Sequence, residues 1–159
     1  MKQLQITEQN AQKLYKTATP EFKATLEDTF GKEFFSGKIT DRIKTYEDAC
    51  RELDISDQLD VTLVELGFTP DEIILRKIKT ITKALNEGWK PDWNDGNQKK
   101  WYPWFKMSSG GFVFADSAYA YSHASAGDAS RLCFKTEELA KYAGEQFTQL
   151  YSDYILYYQ

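Results

Sequence analysis

The first 88 residues carry apolar side chains at the three- and four-residue spacing of amphipathic helices, separated by helix start signals. Two such signals are Thr19-Pro20-Glu21 and Thr69-Pro70-Asp71-Glu72. In each, threonine caps the helix, proline occupies the first turn and the acids face the positive end of the helix dipole. The pattern predicts helices at about Glu8–Thr17, Pro20–Phe30, Thr45–Leu53, Leu59–Leu66 and Pro70–Glu87.

After Gly88 apolar and polar residues alternate, as they do in strands with one buried face. We predict three strands and then one long helix: Trp101–Met107, Gly111–Tyr121, Ser130–Lys135, and Glu137 to about Tyr157. The predicted fold class is therefore α+β, with N-terminal helices followed by a three-stranded antiparallel meander packed on a long C-terminal helix. We expect a helical region over residues 1–88 and a second region over residues 89–159, unless the two form one compact domain.

The alternation assigns the strand residues to two faces with different chemistry. One face is apolar and is expected to pack on the C-terminal helix; it contains Trp101, Phe105, Met107, Phe112, Phe114, Leu132 and Phe134. The other is aromatic and cationic, with no acid assigned to it; it contains Tyr102, Trp104, Lys106, Val113, Arg131, Cys133 and Lys135. A change in the aromatic pattern near Asp116-Ser117 predicts a β-bulge in the second strand.

All four tryptophans of the chain fall within sixteen consecutive residues, from Trp89 to Trp104, around Pro, Gly, Asn and Lys. This segment either folds back on the core as a lid or presents flat rings to a ligand. The cationic strand face is likewise either covered by the helical half or open to a ligand. If a ligand binds there, the residues that we expect to contact it are Trp89, Trp93, Lys99, Lys100, Tyr102, Trp104, Lys106, Arg131 and Lys135.

Charge is distributed unevenly along this acidic chain, whose net charge is −4. Residues 89–135 have a net charge of +2, whereas the segments before and after them each have −3. This small excess permits a phosphate-bearing partner but lacks the basic field of a dedicated duplex-DNA binder. The chain has two cysteines and no signal-like start, which predicts reduced thiols in the cytoplasm. It also has no apolar run of about 20 residues, which predicts a soluble protein.

The residues available for catalysis predict a protein that is not an enzyme. His123 is the only histidine, and no nucleophile or acid lies beside it in a catalytic motif. Asp92-x-Asn94-x-Gly96 begins like a calcium loop, but position twelve is Pro103 and cannot supply the closing carboxylate. No phosphate-binding loop, dinucleotide motif or zinc spacing is present. We therefore expect no catalytic residue, no metal and no cofactor.

Two resemblances add expectations. The segment Arg131–Tyr142 resembles the end of the three-stranded sheet-plus-helix DNA-binding domains of the plant ethylene-response-factor type, which implies base contacts by Trp104, Lys106 and Arg131. The chain as a whole is similar to small uncharacterised proteins encoded by phages and prophages of anaerobic gut bacteria. That similarity rests on Leu26–Phe35, Thr40–Cys50, Leu85–Trp93 and Arg131–Phe147. It implies a mobile-element protein that acts in the cytoplasm of a host cell.

Two functions follow as hypotheses. The first is a non-enzymatic protein that binds a nucleotide or single-stranded nucleic acid through rings that stack on bases and cations that meet phosphates. Such a protein serves DNA metabolism or sequesters a nucleotide signal of host immunity. The second is a protein-interaction or assembly module whose aromatics contact a host protein, a virion protein or another copy of the chain.

Overall fold

The computed structural model describes residues 6–122 and 132–157. It divides the chain into two compact units, Met1–Arg42 and Ile43–Gln159. The first unit contains helices α1 (Glu8–Thr17), α2 (Pro20–Phe30), α3 (Lys32–Ser36) and α4 (Ile39–Arg42). The boundary between the units thus lies well before Gly88, where the sequence pattern changes from helices to strands.

The first two helices begin and end where capping residues predict. The hydroxyl of Thr7 accepts a hydrogen bond from the amide of Asn10 at 3.3 Å, and Thr19 accepts one from Phe22 at 3.4 Å. Gly31 closes α2 with φ of 87°, a conformation that glycine adopts without steric cost. Local sequence signals are therefore sufficient to place α1 and α2.

The second unit begins with three helices, α5 (Tyr46–Leu53), α6 (Leu59–Glu65) and α7 (Pro70–Leu85). Capping boxes at Thr45 and Thr69 start α5 and α7. The longest of the three, α7, buries one face against its neighbours through Ile73, Ile78, Ile81, Ala84 and Leu85. It is the central helix of this unit, because both α5 and a C-terminal helix pack against it.

Two antiparallel strands follow, β1 (Lys100–Ser108) and β2 (Gly111–Ala120), joined by a two-residue turn. Phe105 lies opposite Phe114, but Trp104 lies opposite Asp116, so Ala115 is an extra residue in β2. This is the bulge that the sequence predicts near Asp116-Ser117. It keeps the alternation of faces intact on both sides of the irregularity.

The predicted three-stranded meander is wrong. Within the described residues, the backbone that follows β2 pairs with the sheet at a single bridge. There, Trp101 and Phe134 exchange two backbone hydrogen bonds of 3.1 and 2.7 Å. Pro103 is the next residue of β1 on that edge and has no amide to donate. The backbone bends at Leu132, and no described residue other than Phe134 pairs with this edge of β1. Among the described residues, the three-stranded arrangement on which the resemblance to the plant DNA-binding domains rests is therefore absent.

The predicted single C-terminal helix is also wrong, because it is two helices, α8 (Glu137–Gln146) and α9 (Thr148–Ile155). The break falls at Phe147, whose backbone has φ of −114° and ψ of 25°. The hydroxyl of Thr148 donates to the carbonyl of Gly144 at 2.6 Å, and a bond of this kind bends a helix. Phe147 itself is buried at the break between the two helices.

The sheet packs on α8 and α9 through the face predicted to be apolar. The rings of Phe105 and Tyr151 lie 4.9 Å apart between their centroids. Gly144 of α8 faces Phe114 and Pro103 so closely that a β-carbon on residue 144 would lie 2.9 Å from Pro103 Cβ and nearer still to the Phe114 ring. Glycine is therefore required for this close approach of helix and sheet.

We predict that Gly144→Ala destabilises the protein, although alanine in place of glycine inside a helix ordinarily stabilises by about 1 kcal/mol. The new methyl group meets Pro103, whose ring is fixed by the backbone, and overpacking of this kind costs ~1–3 kcal/mol. Urea unfolding should show a lower midpoint for this variant. Gly110→Ala is the matched control, since its nearest neighbour would lie at 3.7 Å. A raised midpoint for Gly144→Ala would contradict the packing described.

Candidate functional site

The tryptophan-rich segment before β1 folds on itself through polar contacts. The amide of Asp92 donates to Oε1 of Gln98 at 2.7 Å, and the amide of Asn97 donates to Oδ1 of Asp95 at 2.8 Å. Trp89 and Trp93 are half-buried. These contacts give the segment a defined conformation, and its two tryptophans contribute to the packing of the second unit more than to its surface.

Lys100, one of the candidate ligand-binding residues, lies in the interior with 1% of its surface exposed. Its ammonium group donates to the carbonyl of Gln98 at 2.9 Å and lies 5.0 Å from the centre of the Trp93 ring. The charge is thus satisfied by a carbonyl and an aromatic face. Lys100 anchors the tryptophan-rich segment and is not accessible to a ligand.

The remaining candidate cations are dispersed. Lys135 forms an ion pair with Glu87, with 2.8 Å between Nζ and Oε2. Lys99 is exposed and lies over Tyr119, 4.3 Å from the ring centre, on the side of the sheet opposite to Trp104. Arg131 lies outside the described residues. The structure therefore brings together only part of the predicted cationic surface.

Three of the candidate ligand-binding residues do lie together. They are Tyr102, Trp104 and Lys106, which follow one another along one face of β1. The Tyr102 and Trp104 rings have centroids 6.4 Å apart, and Trp104 is 53% exposed. Asp116 lies opposite Trp104 and forms an ion pair with Lys141 at 3.6 Å. This face therefore carries a carboxylate that the alternation of the sequence does not assign to it.

A groove of about 380 Å³ runs along the edge of β1 that faces away from β2, and α9 forms its other wall. We call it the aromatic groove. Its lining is Tyr102, Pro103, Trp104, Phe105, Lys106, Met107, Phe112, Leu132, Tyr151, Tyr154, Ile155 and Leu156. Apart from Pro103 and Lys106, all of these residues have apolar or aromatic side chains. Lys106 is the only charged residue of the lining.

Three large apolar side chains of the aromatic groove are exposed to solvent: Trp104 at 53%, Met107 at 61% and Ile155 at 52%. Beneath them, Phe105 stacks on Phe112 with ring centroids 4.8 Å apart. The groove therefore has a packed aromatic base and an exposed apolar rim. Exposed apolar residues that cluster in one concave surface are typical of binding sites, whereas scattered ones are ordinary.

The wall formed by α9 was not among the residues predicted to bind a ligand. The predicted helix includes Tyr154, but as a residue buried against the sheet. Ile155 follows it at the end of α9 and lines the groove together with Leu156. The only sequence signal for this wall is the run of large side chains from Tyr154 to Tyr157, which exceeds what one buried helix face requires.

The groove has a neutral interior. Burial raises the pKa of the Tyr151 hydroxyl, so this phenol stays protonated throughout the physiological range. The described residues contain no group of three or more His, Cys, Asp or Glu side chains arranged to hold a metal ion. His123 lies outside the described residues. The described lining is therefore suited to apolar and stacking contacts.

We predict that Lys100→Ala lowers the free energy of unfolding by ~2–4 kcal/mol, because it removes a buried side chain and leaves the Gln98 carbonyl without its donor. Lys99→Ala is the matched control. It removes only an exposed contact with aromatic rings, which is worth about 0.5–1 kcal/mol. Thermal unfolding of the two variants measures the difference. Equal losses of stability would show that Lys100 is not the internal anchor of this segment.

We also predict that neither cysteine reacts with a thiol reagent in the native protein. Cys50 and Cys133 are 1% and 5% exposed, and burial raises the pKa of the Cys133 thiol, which lowers its nucleophilic thiolate fraction. Ellman's reagent should release its chromophore only after a denaturant is added, with both thiols then reacting. Rapid reaction of one thiol without denaturant would contradict the burial of that residue.

No described helix combines the length and apolar character needed to cross a membrane. Comparisons with protein-family models, with curated proteins and with solved structures found no match. The chemistry of the aromatic groove is therefore the basis on which a function is proposed.

Proposed function

We propose that this protein is a non-enzymatic interaction module that binds an apolar segment of a partner protein in the aromatic groove. One observation carries the proposal: three exposed apolar side chains, Trp104, Met107 and Ile155, line a single groove. A chain that exposes these groups together forgoes the free energy of their burial. Complete burial of a side chain of this size contributes ~1.5–3 kcal/mol, which a partner recovers by covering it.

The residue types of the groove support a protein partner. Tryptophan, tyrosine and methionine are enriched at the centres of protein interfaces, and charged residues are depleted there. The aromatic groove has this composition, with Trp104 at its rim, Tyr151 at its base and Lys106 as its only charge. A partner that fits it presents apolar side chains to the groove and carries polar or acidic groups at its margin.

The same rings support a nucleotide or single-stranded nucleic acid as a second candidate ligand. Tyr102 and Trp104 present neighbouring rings, and bases stack on such pairs. Phosphates, however, require several cations, and the groove supplies only Lys106. Asp116 opposite Trp104 is paired with Lys141, so this pair adds no net positive charge to that face. The electrostatics of the described residues therefore favour the protein partner.

The resemblance to phage and prophage proteins stated in the sequence analysis implies partners within an infected cell. On this proposal the groove engages a host protein that the phage inhibits, or a phage protein with which the chain assembles. Either role needs only binding and no catalytic group.

The test is a selection of twelve-residue random peptides against the purified protein. We predict that enriched peptides contain large apolar residues and that Trp104→Ser weakens the tightest of them at least about tenfold, the equivalent of ~1.4 kcal/mol. Leu66→Ser is the matched control, because Leu66 is 69% exposed and does not line the groove. Fluorescence anisotropy with a labelled peptide measures both affinities.

A twelve-nucleotide oligothymidine provides the competing outcome. If it binds, weakens steeply with added salt and loses affinity in Lys106→Ala, the nucleic-acid candidate replaces the protein partner. If neither peptides nor the oligonucleotide bind, or if Leu66→Ser weakens peptide binding as much as Trp104→Ser, the aromatic groove is not the binding site.

A further inference from the structure

The outer edge of β1 has a hydrogen-bonding pattern that restricts how a partner can bind. Trp101 turns both of its backbone groups towards Phe134 and away from β2. Backbone groups of a strand alternate in direction, so those of Pro103, Phe105 and Met107 also point to this outer edge. The intervening residues pair with β2.

Beyond its first residue, this edge has no backbone partner among the residues that the structure describes. Within 6–122 and 132–157, Phe134 supplies the only backbone groups that pair with it. Phe105 and Met107 each present one N–H and one C=O there, and Pro103 presents a C=O. These five groups have no backbone partner in the described part of the chain and lie along one wall of the aromatic groove.

We propose that the partner binds as an extended segment that adds a strand antiparallel to β1 at Phe105 and Met107, which deepens the proposed function and rests on it. The bridge between Trp101 and Phe134 shows that this edge already accepts an antiparallel chain. A strand is the conformation that satisfies alternate N–H and C=O groups in one line. A helix in the same groove would leave them unpaired.

Strand addition also determines the chemistry of the partner. Alternate side chains of an added strand point to opposite faces. One set enters the space between β1 and α9, where Ile155 and Leu156 favour large apolar residues. The other set lies beside Trp104 and Lys106, where an aromatic residue next to an acidic one fits best. The partner is therefore an extended segment with apolar residues at every second position and an acid on its other face.

The test uses the most enriched twelve-residue peptide from the selection, synthesised with a single N-methyl group at each amide in turn. N-methylation removes a donor and blocks a strand edge. Strand addition predicts a period of two: alternate positions across the bound core should lose about tenfold or more in affinity, while the positions between them change little. Uniform losses, or losses without this period, would overturn strand addition.

Amide exchange followed by NMR supplies the matching measurement on the protein. In the free protein the amides of Trp104 and Lys106, which pair with β2, should exchange slowly, and those of Phe105 and Met107 should exchange fast. Saturating peptide should slow the second pair at least about tenfold and leave the first pair slow. Protection of Phe105 and Met107 in the free monomer would overturn the proposal, because the edge would then already be covered.

The outcomes separate the two proposals. If peptides bind and Trp104→Ser weakens them, but N-methylation shows no period of two, the interaction module stands and strand addition fails. If no peptide is enriched, both fail. If Phe105 and Met107 become protected only as the protein concentration rises and a dimer forms, the occupant of the edge is a second copy of this chain, which overturns the extended partner segment.

Discussion

The side-chain amide of Asn86 forms two hydrogen bonds with one short stretch of backbone. Its Nδ2 donates to the carbonyl of Cys133 at 2.8 Å, and its Oδ1 accepts from the amide of Lys135 at 2.9 Å. The residue is buried directly after the last turn of α7. Phe134, held between these two bonds, is the residue that bridges to Trp101. The position of β1, and of the groove along it, therefore depends on a polar contact at the end of a helix.

Sequence patterns predicted the parts of the fold that depend on neighbouring residues. The helices that follow Thr19 and Thr69 begin where these caps predict, because an N-cap acts within three residues of itself. The face of the sheet that packs on the C-terminal helices was also predicted, since alternation alone sorts apolar from polar positions. The bulge was visible as a change in that alternation.

The two errors in the predicted fold both arise from hydrogen bonding. Alternation around Phe134 is that of a strand, but pairing needs a donor on the opposite edge, and Pro103 does not supply one. The C-terminal helix has a continuous apolar face, but the hydroxyl of Thr148 bonds to the carbonyl of Gly144 and the helix breaks. Each outcome depends on whether one particular hydrogen bond forms. Hydrophobic spacing carries no information about hydrogen bonds.

The candidate site was predicted in part, for similar reasons. Tyr102, Trp104 and Lys106 share a face by alternation, which the structure also gives them. Lys100 belongs to the same alternation, yet its ammonium group turns inwards to a carbonyl and a tryptophan ring. The charge of Lys100 therefore holds the tryptophan-rich segment, and Lys106 is the only charged residue that lines the aromatic groove. The wall formed by Ile155 required the direction of α9, which no local pattern specifies.

The extra residue in β2 determines which way a carboxylate faces. In an unbroken ladder Ala115 would lie opposite Trp104, and Asp116 would lie opposite Pro103, on the side that packs against α8. A charged group buried there without a partner would be unfavourable by several kcal/mol, of the order that the whole domain can tolerate. With Ala115 inserted, Asp116 reaches solvent and Lys141 instead. The length of β2, counted to a single residue, therefore decides whether Asp116 faces solvent or the packing against α8.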